Sequence, residues 1–195
     1  MKYKACIFDF DLTLADSSRG ILKCFKLTLE KFGYPIPDDE TIFDTIGYTL
    51  EQALDMLTGI PDNPERAEMK TAYVKFADEH MVQDTVFFDD SLAILQVLQQ
   101  AGVKVGIVST KYKYRILDSF EAHTASMPVD EIIGGGEVTK HKPDPEGLNL
   151  MVEKLRVKKS DVLYVGDSHI DAETARHAGV DFAGVTTGTA TKEDF

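Results

Sequence analysis

Cysteine is scarce in this sequence: Cys6 and Cys24 are the only two among 195 residues, and they form no CxxC pair. No thiol redox or metal pair of that kind is available, and a reducing cytoplasm is the expected compartment. Long apolar runs are missing as well. The opening MKYKACIFDF meets two aspartates before any apolar run reaches the length of a signal peptide or membrane span, so neither is expected. Positive charge is short too, with 21 Lys and Arg against 33 Asp and Glu and a formal net charge of -12. Such a field repels the phosphate backbone of nucleic acid and anionic membrane surfaces, so neither is an expected partner. The same field opposes a small anionic substrate. A phosphate site here therefore needs concentrated positive charge from a metal or a lysine. Repeats and low-complexity segments are also absent.

What is present is ordinary globular material, 43% apolar and 28% charged, in a length that fits one large domain or a core carrying a smaller insert. Short apolar runs rich in β-branched residues stand at Tyr3 to Phe8, Val103 to Val108 and Val162 to Val165, with weaker ones at Glu131 to Ile133 and Val180 to Val185. Lacking clean polar alternation, they read as strands buried on both faces. Helical patterns lie between them. Asp90 is placed to cap a helix carrying Leu92, Leu95 and Leu98, and Gly102 to end it; Asp144-Pro145 opens another running to about Arg156; a third spans Ser168 to Gly179. This alternation predicts a parallel sheet with helices on both sides. Residues 17–86 break it, with helical patterns and no convincing strand. Ile21, Phe25, Leu29 and Phe32 fall at helical spacing before Gly33-Tyr34-Pro35, Thr49 with Gln52 resembles a capping box, and Asn63-Pro64 marks the start of a helix through Tyr73 and Phe76. The predicted organisation is an α/β core from 1–16 and 87–195, with 17–86 inserted as a helical cap.

Chemistry-bearing residues follow the strands. Asp9 and Asp11, in DFDLT, stand two apart after the first strand, a spacing that in extended chain turns both carboxylates to one side and invites a divalent cation between them. An isolated DxD is more often a solvated turn or a helix cap. Ser109 and Thr110 follow the second long run, where a hydroxyl and backbone N–H groups can hold phosphate oxygens; a capping or turn role is as common. Lys142 lies in HKPDP, whose prolines restrict the backbone and can aim the ammonium, although most lysines are simply exposed. Asp167 ends the third run, in VGDSHIDAETA; Asp171 stands at capping-box spacing from Ser168, so a helix-start role competes with a site role. In a parallel sheet all C-terminal strand ends open on one edge, where ligands bind, and three strands here finish in Asp9/Asp11, Ser109/Thr110 and Asp167.

Together these segments resemble the haloacid dehalogenase superfamily of phosphohydrolases. DFDLTLADS, VST followed by Lys111, HKPDP and GDSHIDAETA are similar to its four motifs in order, from Tyr3 to about Gly184. The resemblance implies a Rossmann-like parallel-sheet core with an inserted α-helical cap, the latter similar to the phosphoglycolate phosphatase, pyrophosphatase and β-phosphoglucomutase branch. It implies Asp9 as nucleophile, Asp11 as general acid and then base, and Ser109 with the Thr110 backbone as phosphoryl holders. Lys142 would offset charge on nucleophile and phosphate, and Asp9, Asp167 and the backbone carbonyl of Asp11 would bind Mg2+. Asp171 would support the metal shell or orient Lys142. Arg19, Gly47, Tyr48 and Lys111 are candidate substrate contacts, equally explained as surface loop and solvated charge.

Leu12 departs from the pattern, standing where the family usually has glycine; a bulky residue does not easily take positive φ, so either the turn does not require it or the loop differs. The activity implied is Mg2+-dependent hydrolysis of a small phosphorylated metabolite through an aspartyl-phosphate, in a monomer or homodimer. A phosphomutase shares the core chemistry, but Ile21 stands where β-phosphoglucomutases carry a cap histidine. A dehalogenase would not need Asp11 or Asp167. A binding module that keeps the fold without turnover is the reading from another class.

Overall fold

Residues 2–195 are described by the structure, a computed structural model. In chain order the elements are β1 (Ala5–Phe8), β2 (Ala15–Asp16), α1 (Ser18–Lys31), α2 (Asp39–Phe43) and α3 (Leu50–Thr58). Then come α4 (Arg66–His80), β3 (Val86–Phe87), α5 (Ser91–Gln100), β4 (Lys104–Val108) and α6 (Lys113–His123). The chain finishes with β5 (Glu131–Ile133), α7 (Glu146–Leu155), β6 (Val162–Gly166), α8 (His169–Ala178) and β7 (Asp181–Gly184). It divides into two compact units, one of Met1–Asp16 with Val86–Phe195 and the other Ser17–Thr85.

The first unit is built on a parallel sheet of order β5-β4-β1-β6-β7. Its α/β architecture is the one predicted from the alternating runs. β1 is central and buried throughout, and its residues alternate between two cores. Cys6 and Phe8 pack with Leu95 of α5 and with Ile116 and Phe120 of α6. Ala5 and Ile7 pack with Leu148 and Met151 of α7 and with Ala175 and Ala178 of α8. Each fully buried Ile, Leu or Phe contributes about 1.5–3 kcal/mol, so burial on both faces fixes the register that aims the strand ends.

Several boundaries differ from the sequence reading. β2 and β3 pair antiparallel, Ala15 with Phe87 and Asp16 with Val86, so Val86 stands in the first unit. Strands of two residues carry no periodicity to detect. Asp90 occupies the N-cap position of α5 without a side-chain cap bond, and Pro145 rather than Asp144 precedes α7; the Asp144 carboxylate instead accepts from the Glu146 N–H at 3.0 Å.

In the second unit α1 packs against α4. Ile21, Phe25 and Leu29 are buried on α1, and Phe25 lies 4.6 Å from the Tyr73 ring of α4, between centroids. The Thr49–Gln52 capping box opens α3 as predicted. α4 starts at Arg66, later than Asn63-Pro64 suggested, because the Asn63 side chain accepts from the Glu65 N–H at 2.9 Å and closes a turn first. Among the described residues no helix is long and apolar enough to cross a membrane.

Candidate active site

Three strands of the first unit deliver their next residue to one edge. The Asp9 N–H donates to Val165 O at 2.9 Å and the Ser109 N–H to Ile133 O at 3.1 Å, so each ladder runs one residue past its strand and fixes the backbone there. Asp167 follows β6, Lys142 comes from the loop before α7, and Asp171 lies in the first turn of α8. Asp9, Ser109, Lys142, Asp167 and Asp171 are all buried.

Carboxylate oxygens of Asp9, Asp167 and Asp171 lie within 4.8 Å of one another. Lys142 Nζ is 2.7 Å from Asp171 Oδ1 and 3.0 Å from Asp9 Oδ1. The second approach is in ion-pair range but off the direction of a hydrogen bond, so the buried Asp9 Oδ1 has no aligned donor. Burial, resisted by Lys142 and reinforced by the neighbouring acids, pushes Asp9 up to about 7. Burial and the Asp171 charge push Asp167 up to about 6. Burial also works against ionised Asp171, but Lys142 and the hydrogen bonds it accepts outweigh this and hold it below the usual range. Lys142 is held firmly protonated, its desolvation being exceeded by the attraction of Asp171 and Asp9.

The three acids are therefore not equivalent. Asp171 Oδ1 accepts from Lys142 Nζ and from Tyr164 Oη, each at 2.7 Å, while Oδ2 accepts from Ser168 Oγ at 2.5 Å and Ser168 N–H at 3.2 Å. Its lone pairs are taken, and its geometry is that of a residue orienting Lys142 while completing the α8 capping box. Among the described residues the Asp167 carboxylate accepts from Thr13 Oγ1 at 3.1 Å and Thr189 N–H at 3.2 Å, one bond to each oxygen. Asp9 and Asp167 thus retain free lone pairs in a buried site where acids outnumber the one lysine. An unsatisfied carboxylate oxygen beside a second carboxylate fits a hard divalent cation with oxygen ligands.

Asp11 is a near neighbour of Asp9 but not one of these three. Its carboxylate is outside the group of three, and its Oδ1 is 2.7 Å from Lys111 Nζ. Ser109 Oγ accepts from the Lys111 N–H at 3.3 Å, and the Lys111 carbonyl accepts from Gly135 N–H at 3.0 Å. The Gly134-Gly135 turn lies so close to this loop that an added Cβ would come 2.4 Å from Lys113 N or 2.2 Å from Thr110 O, respectively. Arg19, Gly47 and Tyr48 belong to the second unit. There Arg19 pairs with Asp84 at 3.1 Å, and Gly47 takes a φ of 102°.

Leu12 does adopt the left-handed conformation, with φ 60°. The turn needs positive φ after all, and leucine is kept there by burial and by a hydrogen bond from Thr187 Oγ1 to its carbonyl at 2.5 Å. Sequence reasoning missed Tyr164, Thr13, Thr187 and the glycine turn as parts of this arrangement. Only Tyr164 left a trace: a tyrosine inside a strand buried on both faces requires a partner for its hydroxyl.

Residues 6–185 match the sequence profile of a family described as haloacid dehalogenase-like hydrolase, a span that contains every acid and lysine of the site. The chain belongs to that family. Among its relatives, a pyrophosphatase, PpaX, of Listeria monocytogenes is 29% identical over 189 residues, covering 94% of this chain and 83% of the relative. A phosphoglycolate phosphatase of Vibrio parahaemolyticus is 28% identical over 193 residues, covering 95% and 84%. The crystal structure of a haloacid dehalogenase-like hydrolase from Bacteroides fragilis superposes with a TM-score of 0.96 at 48% identity, covering 100% of this chain and 92% of that one. The chain is accordingly an enzyme, a phosphatase of the haloacid dehalogenase-like family.

Proposed function

We propose that the chain is a Mg2+-dependent phosphoric monoester hydrolase that cleaves a small phosphorylated metabolite through an aspartyl-phosphate on Asp9. The observation that carries this reading is the Asp9 carboxylate itself: it directly follows the central strand, is buried, lacks an aligned donor on Oδ1 among the described residues, and has both Lys142 and Asp167 close to it. Such a group is costly to hold unless a cation or a substrate completes it.

Asp9 attacks phosphorus, forming one O–P bond as the bond to the leaving oxygen breaks. Asp11 gives that oxygen its proton. It then takes a proton from the water that attacks phosphorus and releases inorganic phosphate, returning Asp9 to the carboxylate. Ser109 and Thr110 directly follow β4, the strand beside β1, and Lys142 Nζ lies 3.0 Å from Asp9 Oδ1, a disposition that suits holding the phosphoryl oxygens through the transition state. When bound, Mg2+ on Asp9, Asp167 and the Asp11 backbone carbonyl would screen the nucleophile from the phosphate charge. Asp171 keeps Lys142 aimed.

The helical second unit is proposed as the substrate-selecting cap, with Arg19, Gly47 and Tyr48 as the positions to vary. A phosphoglycolate-like monoester is the first substrate class, and the pyrophosphatase relative supports a phosphoanhydride as the second. Cys6 and Cys24, both buried and neither in a disulfide, suit the proposed cytoplasmic location. The test is phosphate release from an aryl phosphate with and without Mg2+, followed by phosphoglycolate, pyrophosphate and sugar phosphates ranked by kcat/KM. Activity should require Mg2+ and vanish in Asp9→Asn; full activity in that variant would sink the nucleophile assignment.

A further inference from the structure

Two lysines are buried among the described residues, Lys111 and Lys142. Lys142 is accounted for by Asp9 and Asp171. Lys111 has no task in the chemistry above, and its surroundings are not those of a side chain awaiting an anion. Its Nζ is 2.7 Å from Asp11 Oδ1, with side-chain exposures of 5% for the lysine and 11% for the aspartate. The same ammonium lies 5.7 Å from the centroid of the Phe10 ring. In so dry a setting an ion pair is screened little by water, and each partner strongly constrains the other.

The backbone beneath Lys111 is equally fixed. Its carbonyl accepts from Gly135 N–H at 3.0 Å, and a Cβ on Gly134 would come 2.9 Å from that oxygen, so the close approach depends on glycine. Its N–H donates to Ser109 Oγ at 3.3 Å. One short loop therefore carries both the hydroxyl proposed to hold phosphate and the ammonium that meets Asp11. Asp11 is only two residues from Asp9, yet its carboxylate stands outside the Asp9, Asp167 and Asp171 group. A fourth carboxylate turned into that group would add negative charge where one ammonium, Lys142, is already shared by Asp9 and Asp171.

We infer that Lys111 is a positioning residue for Asp11, drawing its carboxylate out of the acidic group and holding it for proton transfer at the leaving oxygen. The inference rests on the reading of Asp11 as the proton-transfer group. It removes Lys111 from the set of substrate contacts.

The test is a double-mutant cycle on a single alkyl phosphate with Mg2+, measuring kcat and KM for wild type, Lys111→Met, Asp11→Asn and the double variant, with Lys111→Arg as rescue. Lys111→Met should lower kcat about 10- to 100-fold, part of what a general acid–base contributes, with KM changed less than about threefold. Lys111→Arg should recover most of the loss. With Asp11→Asn present nothing remains to be positioned, and Lys111→Met should change kcat by less than about twofold. A rise in KM of about tenfold with kcat retained, or the same loss of kcat in both backgrounds, would assign Lys111 to substrate and overturn the inference. Should Lys111→Met fail to fold with Asp11 left unpaired, Asp11→Asn against the double variant, together with Lys111→Arg, still decides. A slow Asp11→Asn beside a fully active Lys111→Met refutes Lys111 alone. A fully active Asp11→Asn refutes the proton-transfer reading and the positioning role with it.

Discussion

Replacing Leu12 separates two opposing contributions that the structure places on one residue. Its φ of 60° puts a bulky side chain in the left-handed region, at a cost of roughly 1–2 kcal/mol that glycine escapes. Its side chain is only 2% exposed, and truncating a buried leucine costs about 2–5 kcal/mol. Glycine also gives the unfolded chain more freedom, a further loss of about 0.4–1 kcal/mol relative to alanine. Leu12→Ala loses the packing and keeps the backbone penalty, so a destabilisation near 3 kcal/mol is expected, or roughly 6–12 °C in Tm for a chain of this size. Leu12→Gly loses the same packing but gains about 1–2 kcal/mol of backbone relief against about 0.4–1 kcal/mol of chain entropy. The glycine variant should therefore equal or exceed the alanine variant by up to about 1.5 kcal/mol, both remaining less stable than wild type. At an ordinary helical or extended position the order is reversed, alanine being better by about 0.5–1 kcal/mol. Urea denaturation of the three proteins, compared by midpoint at equal slope, reads the order directly. Alanine more stable than glycine by about 1 kcal/mol would refute the left-handed assignment, and a wild-type-like alanine variant would refute the packing.

Without metal, the chain should lose stability as pH rises. Asp9 is raised from 3.8 to about 7 and Asp167 from 3.8 to about 6, so across that window the folded chain holds protons that the unfolded chain has released. Asp171 is depressed, so its stabilisation is already present above 3.8 and constant through the same window. Thermal midpoints from about pH 5 to about pH 7.5 should fall without Mg2+ and be restored by Mg2+ more strongly at the upper end; a metal-free midpoint that rises throughout contradicts the assignment. Asp171→Asn removes the closer carboxylate from the buried Lys142 ammonium and should cost about 3 kcal/mol, the low end for breaking a buried pair because Asp9 remains 3.0 Å away. A Tm within about 2 °C of wild type would show that the pair contributes little. Gly135→Ala sets a Cβ 2.2 Å from Thr110 O and should cost about 2 kcal/mol while raising KM, because the displaced loop carries Ser109; an unchanged KM argues against Ser109 as a phosphate contact.

What could be read from the sequence is what repeats locally. The β-branched runs located the long strands because a strand buried on both faces has few polar residues to interrupt it. Ser168 and Asp171 were legible as a capping box because the bonding spans three residues. Their second task was left open, since only the fold shows Asp171 between Lys142 and Tyr164. The pairing of Asp11 with Lys111 joins residues on different strand ends, and no local pattern encodes it. The side-by-side expectation for Asp9 and Asp11 assumed extended chain. β1 ends at Phe8, however, and the chain then turns, with Leu14 and Ala15 N–H groups both donating to Phe10 O. Leu12 failed for a related reason: its identity argued against positive φ, whereas the burial that compensates comes from the folded unit.

The charge balance of the site has a further consequence for binding. A chain of net charge -12 presents to phosphate a buried site in which Asp9, Asp167 and Asp171 face Lys142, and Lys111 is occupied by Asp11. The positive charge a phosphate site requires is not supplied by side chains alone. A divalent cation and a phosphate each improve the site for the other, and linkage makes that improvement reciprocal. Inorganic phosphate, as the probe, should bind weakly without Mg2+, and the factor by which Mg2+ tightens it should equal the factor by which phosphate tightens Mg2+. Both factors are measurable by calorimetry on the wild-type protein, for which inorganic phosphate is a product rather than a substrate. Phosphate binding that is equally tight with and without Mg2+ would mean that Lys142 and the Ser109 loop carry the anion unaided, and that the acidic group has some purpose other than holding a cation beside it.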